Sequence, residues 1–155
     1  MPIRTATKAD MQAIYRLERS SFGSHCYPDF FFRQAHDLWP RYLWVADDGE
    51  LAGYCLGGTG AAPGEGWILS LAVAESCRGR GLGKALLLQA IGALEAGGCR
   101  SVRLTVSPDN PALGLYLALG FVTERREEAY FGPGEPRLVL VRASSWRPAP
   151  DCANR

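Results

Sequence analysis

The stretch Arg78-Gly79-Arg80-Gly81-Leu82-Gly83-Lys84 packs three cations and three glycines into seven residues. Before it, Trp67-Ile68-Leu69-Ser70-Leu71-Ala72-Val73 is short, apolar and partly β-branched, the pattern of a buried strand. After it, Lys84 to Ala96 is rich in Ala and Leu and reads as a helix. A glycine loop between strand and helix aims backbone N–H groups and a helix N-terminus at one point, which favours an anion there. Glycine accepts a positive φ and lets a ligand come close to the backbone. The stretch therefore suits a diphosphate. Two common phosphate loops fail on spacing. The Walker pattern needs a Gly where Arg78 stands and a metal-binding Ser or Thr where Ala85 stands. The dinucleotide pattern G-x-G-x-x-G would need its third Gly at Lys84 or Leu86. The bland alternative is a solvated turn, so the rest of the chain has to decide.

A second group lies downstream, in Asn110-Pro111-Ala112-Leu113-Gly114-Leu115-Tyr116-Leu117-Ala118-Leu119-Gly120-Phe121. The Tyr116 phenol, with an ordinary pKa of about 10, is protonated at neutral pH and can donate a hydrogen bond to a leaving anion. Alternatively it is a core aromatic on a short amphipathic helix. Asn110 can order a ligand or water, or cap that helix.

Both groups resemble one family. Arg78-x-x-Gly81-x-Gly83 resembles the Q/R-x-x-G-x-G/A loop of the GNAT superfamily of N-acetyltransferases. The Asn110–Phe121 segment resembles the one that in this family ends in L-Y-x-x-x-G-F. Within the superfamily, Leu17-Glu18-Arg19, Ile68 to Val73 and Tyr130-Phe131 are most similar to the RimI-type protein N-terminal acetyltransferases. The resemblance covers roughly residues 2 to 142. One departure stands out: Leu104-Thr105-Val106 lies where RimI-type enzymes carry L-E-V with a general-base Glu, and Thr105 cannot take a proton at neutral pH.

The resemblance implies acetyl-CoA as co-substrate, with no metal. Arg78, Gly79, Arg80, Gly81, Leu82, Gly83 and Lys84 would hold its pyrophosphate. Leu71, Ala72 and Val73 would hold its pantetheine along a strand edge, and Asn110 and Tyr116 would meet the thioester end. Tyr116 is the implied donor to the leaving thiolate. For the base, Glu65 just before the strand and Glu18 on the first helix are the candidates, and Glu65 is set beside Tyr116 as the catalytic pair; each alone could be a solvated Glu. His25, Phe30, Tyr130 and Phe131 are the expected acceptor contacts.

The elements that must position these groups can be read in order. Ile3–Ala6 is a short strand, Thr7 to Asp10 a near capping box, and the helix behind it runs to about Ser20. Pro28-Asp29 opens a second helix, Phe30 to about Leu38. Tyr42–Ala46 and Leu51–Leu56 form a hairpin around Asp48-Gly49. Gly57 to Gly66 is expected as a flexible loop. Gly97-Gly98 ends the long helix, Ser101–Val106 is a strand, and Ala112–Leu119 is a short helix. Phe121 to about Tyr130 and Arg137–Val141 are the last strands. The fold class is α/β (α+β): a GNAT fold with a mixed central sheet of about seven strands and helices on both faces. Residues 1–143 form one domain, and 144–155 are expected as a loosely ordered tail.

Composition sets the outer bounds. The chain has 155 residues, 47% hydrophobic and 21% charged, enough for one full core. A net charge of +1 gives no global pull toward nucleic acid. No apolar run can span a bilayer and no leader is evident, so the expected location is cytoplasmic, with no membrane partner. The five cysteines show no C-x-x-C spacing and indicate neither a disulfide framework nor a zinc site. Three functions stay open: acetylation of a protein or peptide N-terminus, acetylation of a small amine such as an amino acid, polyamine or drug, and acyl-CoA binding without catalysis. A homodimer is compatible with the sequence and not required by it.

Overall fold

The computed structural model describes residues 1–148. In chain order the elements are β1 (Ile3–Thr5), α1 (Met11–Phe22), α2 (Asp29–Leu38), β2 (Leu43–Asp47), β3 (Leu51–Thr59), β4 (Glu65–Val73), α3 (Leu82–Ala96), β5 (Ser101–Val106), α4 (Leu113–Ala118), β6 (Val122–Glu127) and β7 (Arg137–Ala143). The strands form one seven-stranded sheet in the order β1-β2-β3-β4-β5-β7-β6. Every neighbouring pair is antiparallel except β4–β5, whose parallel pairing needs the long crossover that α3 provides. The mixed sheet with helices on both faces is the architecture expected from the sequence.

Alternation along the strands sorts the core into two layers. Tyr54 and Leu56 of β3 face α1 and α2, where they pack with Ile14, Phe32 and Ala35. Cys55 between them faces α3, where Leu86, Leu87, Ala90 and Leu94 meet Ile68, Val102 and Leu104. α1 is fixed at its start by the expected capping box, in which the Thr7 backbone N–H donates to Asp10 at 2.7 Å.

Two irregularities shape the middle of the sheet. Leu56 is registered with Ser70 but Gly57 with Ile68, so Leu69 is an extra residue in β4. Such a bulge shifts the strand's alternation by one. Ile68 therefore points to the α3 layer, while Ser70 and Ala72 point to the α1–α2 side. The second irregularity is a divergence. β4 and β5 are registered only at Glu65–Ser101, Gly66–Val102 and Trp67–Arg103, although β4 runs on to Val73 and β5 to Val106.

One expectation needs correction, and the start of the tail can be described. The loop expected over Gly57 to Gly66 is largely strand, since β3 extends to Thr59 and β4 begins at Glu65. Gly58 is there for closeness: a Cβ on it would sit 2.9 Å from the Trp39 indole. The tail expected from Ser144 is packed down at its start. The Ser144 N–H donates to the Arg100 carbonyl at 2.8 Å, and the Trp146 indole covers Gly120 and lies 5.1 Å from the Arg142 guanidinium. The rest of that tail lies outside the described residues. Among the described residues no helix is long and apolar enough to cross a membrane.

Candidate active site

Where β4 and β5 part, a cavity of about 530 Å³ opens through the sheet. Ile68 to Leu71 line it from β4 and Leu104 to Val106 from β5. The divergence leaves strand edges without a strand partner, and unpaired edge groups are ready to bond an extended ligand. Leu71 and Val73 lie on this stretch with their side chains toward the α3 layer, while the Ala72 side chain is buried on the opposite face.

Tyr116 reaches the cavity from α4, on the α3 side. It is 9% exposed and packs edge-on against Phe121 with ring centroids 6.0 Å apart. Burial, and after it the neighbouring Cys55, pushes its phenol up to about 12. The hydroxyl therefore stays protonated through the physiological range. Asn110 lines the same cavity, and its Oδ1 accepts the Ala112 N–H at 2.8 Å just ahead of α4. It thus shapes the turn that leads into α4 and borders the cavity.

Glu18 reaches the cavity from the other face, on the second-last turn of α1. It is 2% exposed and bonded to three neutral donors. Tyr54 and Ser70 donate their hydroxyls to Oε1, the latter at 2.7 Å, and the Tyr27 N–H donates to Oε2 at 2.8 Å. Burial, followed by the charge of Glu18, holds the Tyr54 phenol well above its ordinary pKa. Tyr27 is raised as well, by burial first and then by Glu18 and Tyr130. The partners of this carboxyl group among the described residues are thus all neutral donors, with no cation in contact with it.

Beyond the end of β4 the basic loop leads into α3 through two left-handed glycines. Gly79 and Gly81 have φ of +80° and +76°, and nothing lies within 4 Å of a Cβ at either, so backbone conformation alone asks for glycine. Leu82 and Gly83 fall inside α3, two residues earlier than the helix was expected to begin. Its first-turn N–H groups have no intrahelical acceptors and point out of the helix N-terminus. Arg78 turns back, its Nε donating to the Val73 carbonyl at 3.1 Å, while Arg80 and Lys84 are exposed. The loop thus joins the cavity's strand edge to a cluster of positive charge.

The expected acceptor contacts divide. His25 and Phe131 border the cavity, and Tyr130 stands behind Phe131 with ring centroids 4.8 Å apart. Phe30 does not reach it: at the start of α2 its ring is 65% exposed, beside a separate hollow with Lys8, Met11 and Arg33. Glu65 does not reach it either. It is the first residue of β4, at the end where β4 and β5 are still paired, and its Oε1 accepts the Trp67 indole N–H at 2.6 Å. Of the two carboxylates weighed as base, Glu18 is the one the fold brings to the cavity. Ser70 and Arg137, which line it, were not foreseen there, nor was Tyr54, which donates to Glu18. Their only sequence signal is a polar residue inside an otherwise apolar strand.

Known proteins match this arrangement. The model of the acetyltransferase (GNAT) family matches residues 9–121. A putative [ribosomal protein bS18]-alanine N-acetyltransferase of Bacillus subtilis is 30% identical over 141 residues, covering 89% of this chain and 92% of the relative. An N-alpha-acetyltransferase of Sulfolobus acidocaldarius is 31% identical over 152 residues, covering 90% of each. Among solved structures, Ard1 from Thermoplasma volcanium superposes with a TM-score of 0.84 at 26% identity, over 92% of this chain and 96% of that one. The family match over most of the chain and the relatives at 30% and 31% identity place the chain in the GNAT family of acetyltransferases.

Proposed function

We propose that this protein transfers the acetyl group of acetyl-CoA to the α-amino group of a protein or peptide N-terminus. The observation that carries this is the passage through the sheet, with Tyr116 on one face and the buried Glu18 carboxylate on the other. Relatives at 30% and 31% identity whose names place their chemistry on protein N-termini support the choice of acceptor.

Bound with the basic loop as its anion cradle, acetyl-CoA supplies an activated thioester carbonyl. Arg78, Arg80, Lys84 and the first turn of α3 bind its diphosphate, and the free edge of β4 aligns the arm between diphosphate and thioester. Glu18 receives the acceptor as an ammonium and takes one proton from it before attack, which frees the nitrogen lone pair; the second proton leaves the nitrogen to solvent as the amide forms. Among the described residues Oε2 accepts one protein donor, the Tyr27 N–H, so it keeps acceptor capacity for the ammonium. The N–C bond forms as the C–S bond breaks, and the electron pair leaves on sulfur. Tyr116 steadies that thiolate with a hydrogen bond. A phenol at about 12 does not surrender its proton to a thiolate whose acid has a pKa of about 8.5, so solvent completes the protonation. The free thiols of Cys26, Cys55, Cys77 and Cys99 fit a reducing cytoplasm as the place of reaction.

The test is release of free thiol from acetyl-CoA with peptides of varied first residue, free amino acids and polyamines. Peptide N-termini are expected to be acetylated, with kcat/KM lowered about a hundredfold or more in Glu18→Gln. Turnover of small amines alone, or binding of acetyl-CoA with no turnover of any amine, would reject a peptide N-terminus as the acceptor.

A further inference from the structure

Two formally charged side chains line the cavity among the described residues, and they have opposite signs: Glu18 and Arg137. The mechanism above uses the first and leaves the second idle. Arg137 opens β7 and its side chain is only 18% exposed. Its guanidinium lies 5.1 Å from the centroid of the Phe131 ring, which holds the plane in place. Of the five N–H donors of a guanidinium, one bonds the Pro136 carbonyl at 2.7 Å and one the Glu135 carboxylate at 3.3 Å. The latter pair is long and one-third exposed on the acid's side, which makes it weak and replaceable. Glu135 is also shared, lying 3.9 Å from His25 Nε2 across the mouth of the cavity. It follows Gly132 and Gly134, both at positive φ.

Of the strands beside β7, β6 sets Glu127 directly opposite Arg137, but that carboxylate is taken by Arg125 at 2.8 Å, and β5 brings no carboxylate. Thr105 is registered with Val139, two residues along from Arg137, so Thr105 and Arg137 belong to the same face of the sheet. A Glu at position 105 would have put a carboxylate beside the guanidinium; the Thr there is neutral. A half-buried, pre-oriented cation with spare donors and a displaceable internal anion is a carboxylate receptor.

We propose that Arg137 is a specificity-determining residue that takes a carboxylate carried by the acceptor close to the amine received by Glu18. This rests on the acceptor reading given above. Two sources share the chemistry: an Asp or Glu side chain near a peptide's N-terminus, and the α-carboxylate of a free amino acid.

The experiment compares kcat/KM for three peptides identical except for Glu, Gln or Lys at the second residue, together with free serine and serinamide. Wild type, Arg137→Gln and Glu135→Gln are assayed in parallel. Wild type is expected to favour the Glu peptide over the Gln peptide about tenfold, mostly in KM, as a charge-assisted pair would give. The Glu/Gln ratio is expected to fall to about one in Arg137→Gln and to rise in Glu135→Gln, which lacks the internal rival. In wild type alone, the ratio shrinks as salt is raised, so the proposal stays testable even where a variant folds poorly. Acetylated peptides with equal rates for Glu and Gln in wild type, or an unchanged ratio in Arg137→Gln, would overturn the role of Arg137 and leave the peptide acceptor standing. Acetylation of serine over serinamide, dependent on Arg137 and without any peptide turnover, would support Arg137 and overturn the peptide acceptor. No turnover of any acceptor overturns both.

Discussion

Burial keeps the Tyr116 proton in place, and the donor role proposed for its hydroxyl has a measurable consequence. Tyr116→Phe keeps the ring that packs on Phe121 and loses only the hydroxyl. We expect kcat to fall more than about tenfold while acetyl-CoA affinity, measured by calorimetry, changes little. An unchanged kcat would remove the hydroxyl from the chemistry and leave Tyr116 as core. Tyr116 was legible in the sequence because its segment is contiguous: Asn110, Tyr116 and Gly120 sit within one turn-and-helix unit. Glu18 was visible only as one of two carboxylates. What distinguishes it is burial among Tyr54, Ser70 and the Tyr27 N–H, residues up to 52 positions away. Glu65 was favoured by its place next to a strand that leads to the site. Strand direction decides otherwise, because the site lies toward the other end of β4.

The loop and the first turn of α3 act as one element whose shape depends on left-handed glycines. Gly81 precedes the helix at φ +76° with open space around it, so the cost of a side chain there is conformational and not steric. Gly81→Ala adds about 1–2 kcal/mol of strain to the cradle's present shape. We expect KM for acetyl-CoA to rise several-fold in that variant, with KM for the acceptor little changed, in steady-state assays varying each substrate in turn. Equal effects on both substrates would point to damage beyond the cradle. The cradle was legible from spacing, since glycines and cations are adjacent in the chain. The bulge at Leu69 was not. An extra residue in an apolar strand leaves composition unchanged, yet it decides that Ser70 and not Leu69 meets Glu18. The glycines from Gly57 to Gly66 misled for a related reason: Gly58 serves close packing against Trp39, which only the tertiary fold brings near.

Across the whole molecule, the sheet's outer strand is tied down by charge. Arg4 on β1 bonds Asp10 at 2.7 and 3.0 Å and Asp47 at 2.8 Å, joining the edge strand, the start of α1 and the end of β2. Hydrogen bonds from Arg4 hold both carboxyls below their usual range. A lowered carboxyl pKa gives stability that is present above its ordinary value, about 4, and lost as pH falls through the folded-state value. Arg4→Gln should therefore lower Tm near neutral pH, and the gap from wild type should close in acid, as calorimetry across a pH series would show. A gap that stays constant into acid would mean that packing, not charge, explains the loss. At this scale the mixed seven-stranded sheet with helices on both faces followed from the succession of strands and helices in the sequence. The parting of β4 from β5 did not, because both strands look continuous along the chain. That parting divides the sheet into two blocks, β1 to β4 and β5 to β7, whose shared ladder is three residue pairs long. So short a ladder is a place where the folded chain can open locally. A co-substrate bound as proposed above would clamp the two blocks and add its binding energy to their stability. On that reading the acyl donor is also a structural brace, and added acetyl-CoA slows proteolysis of the protein.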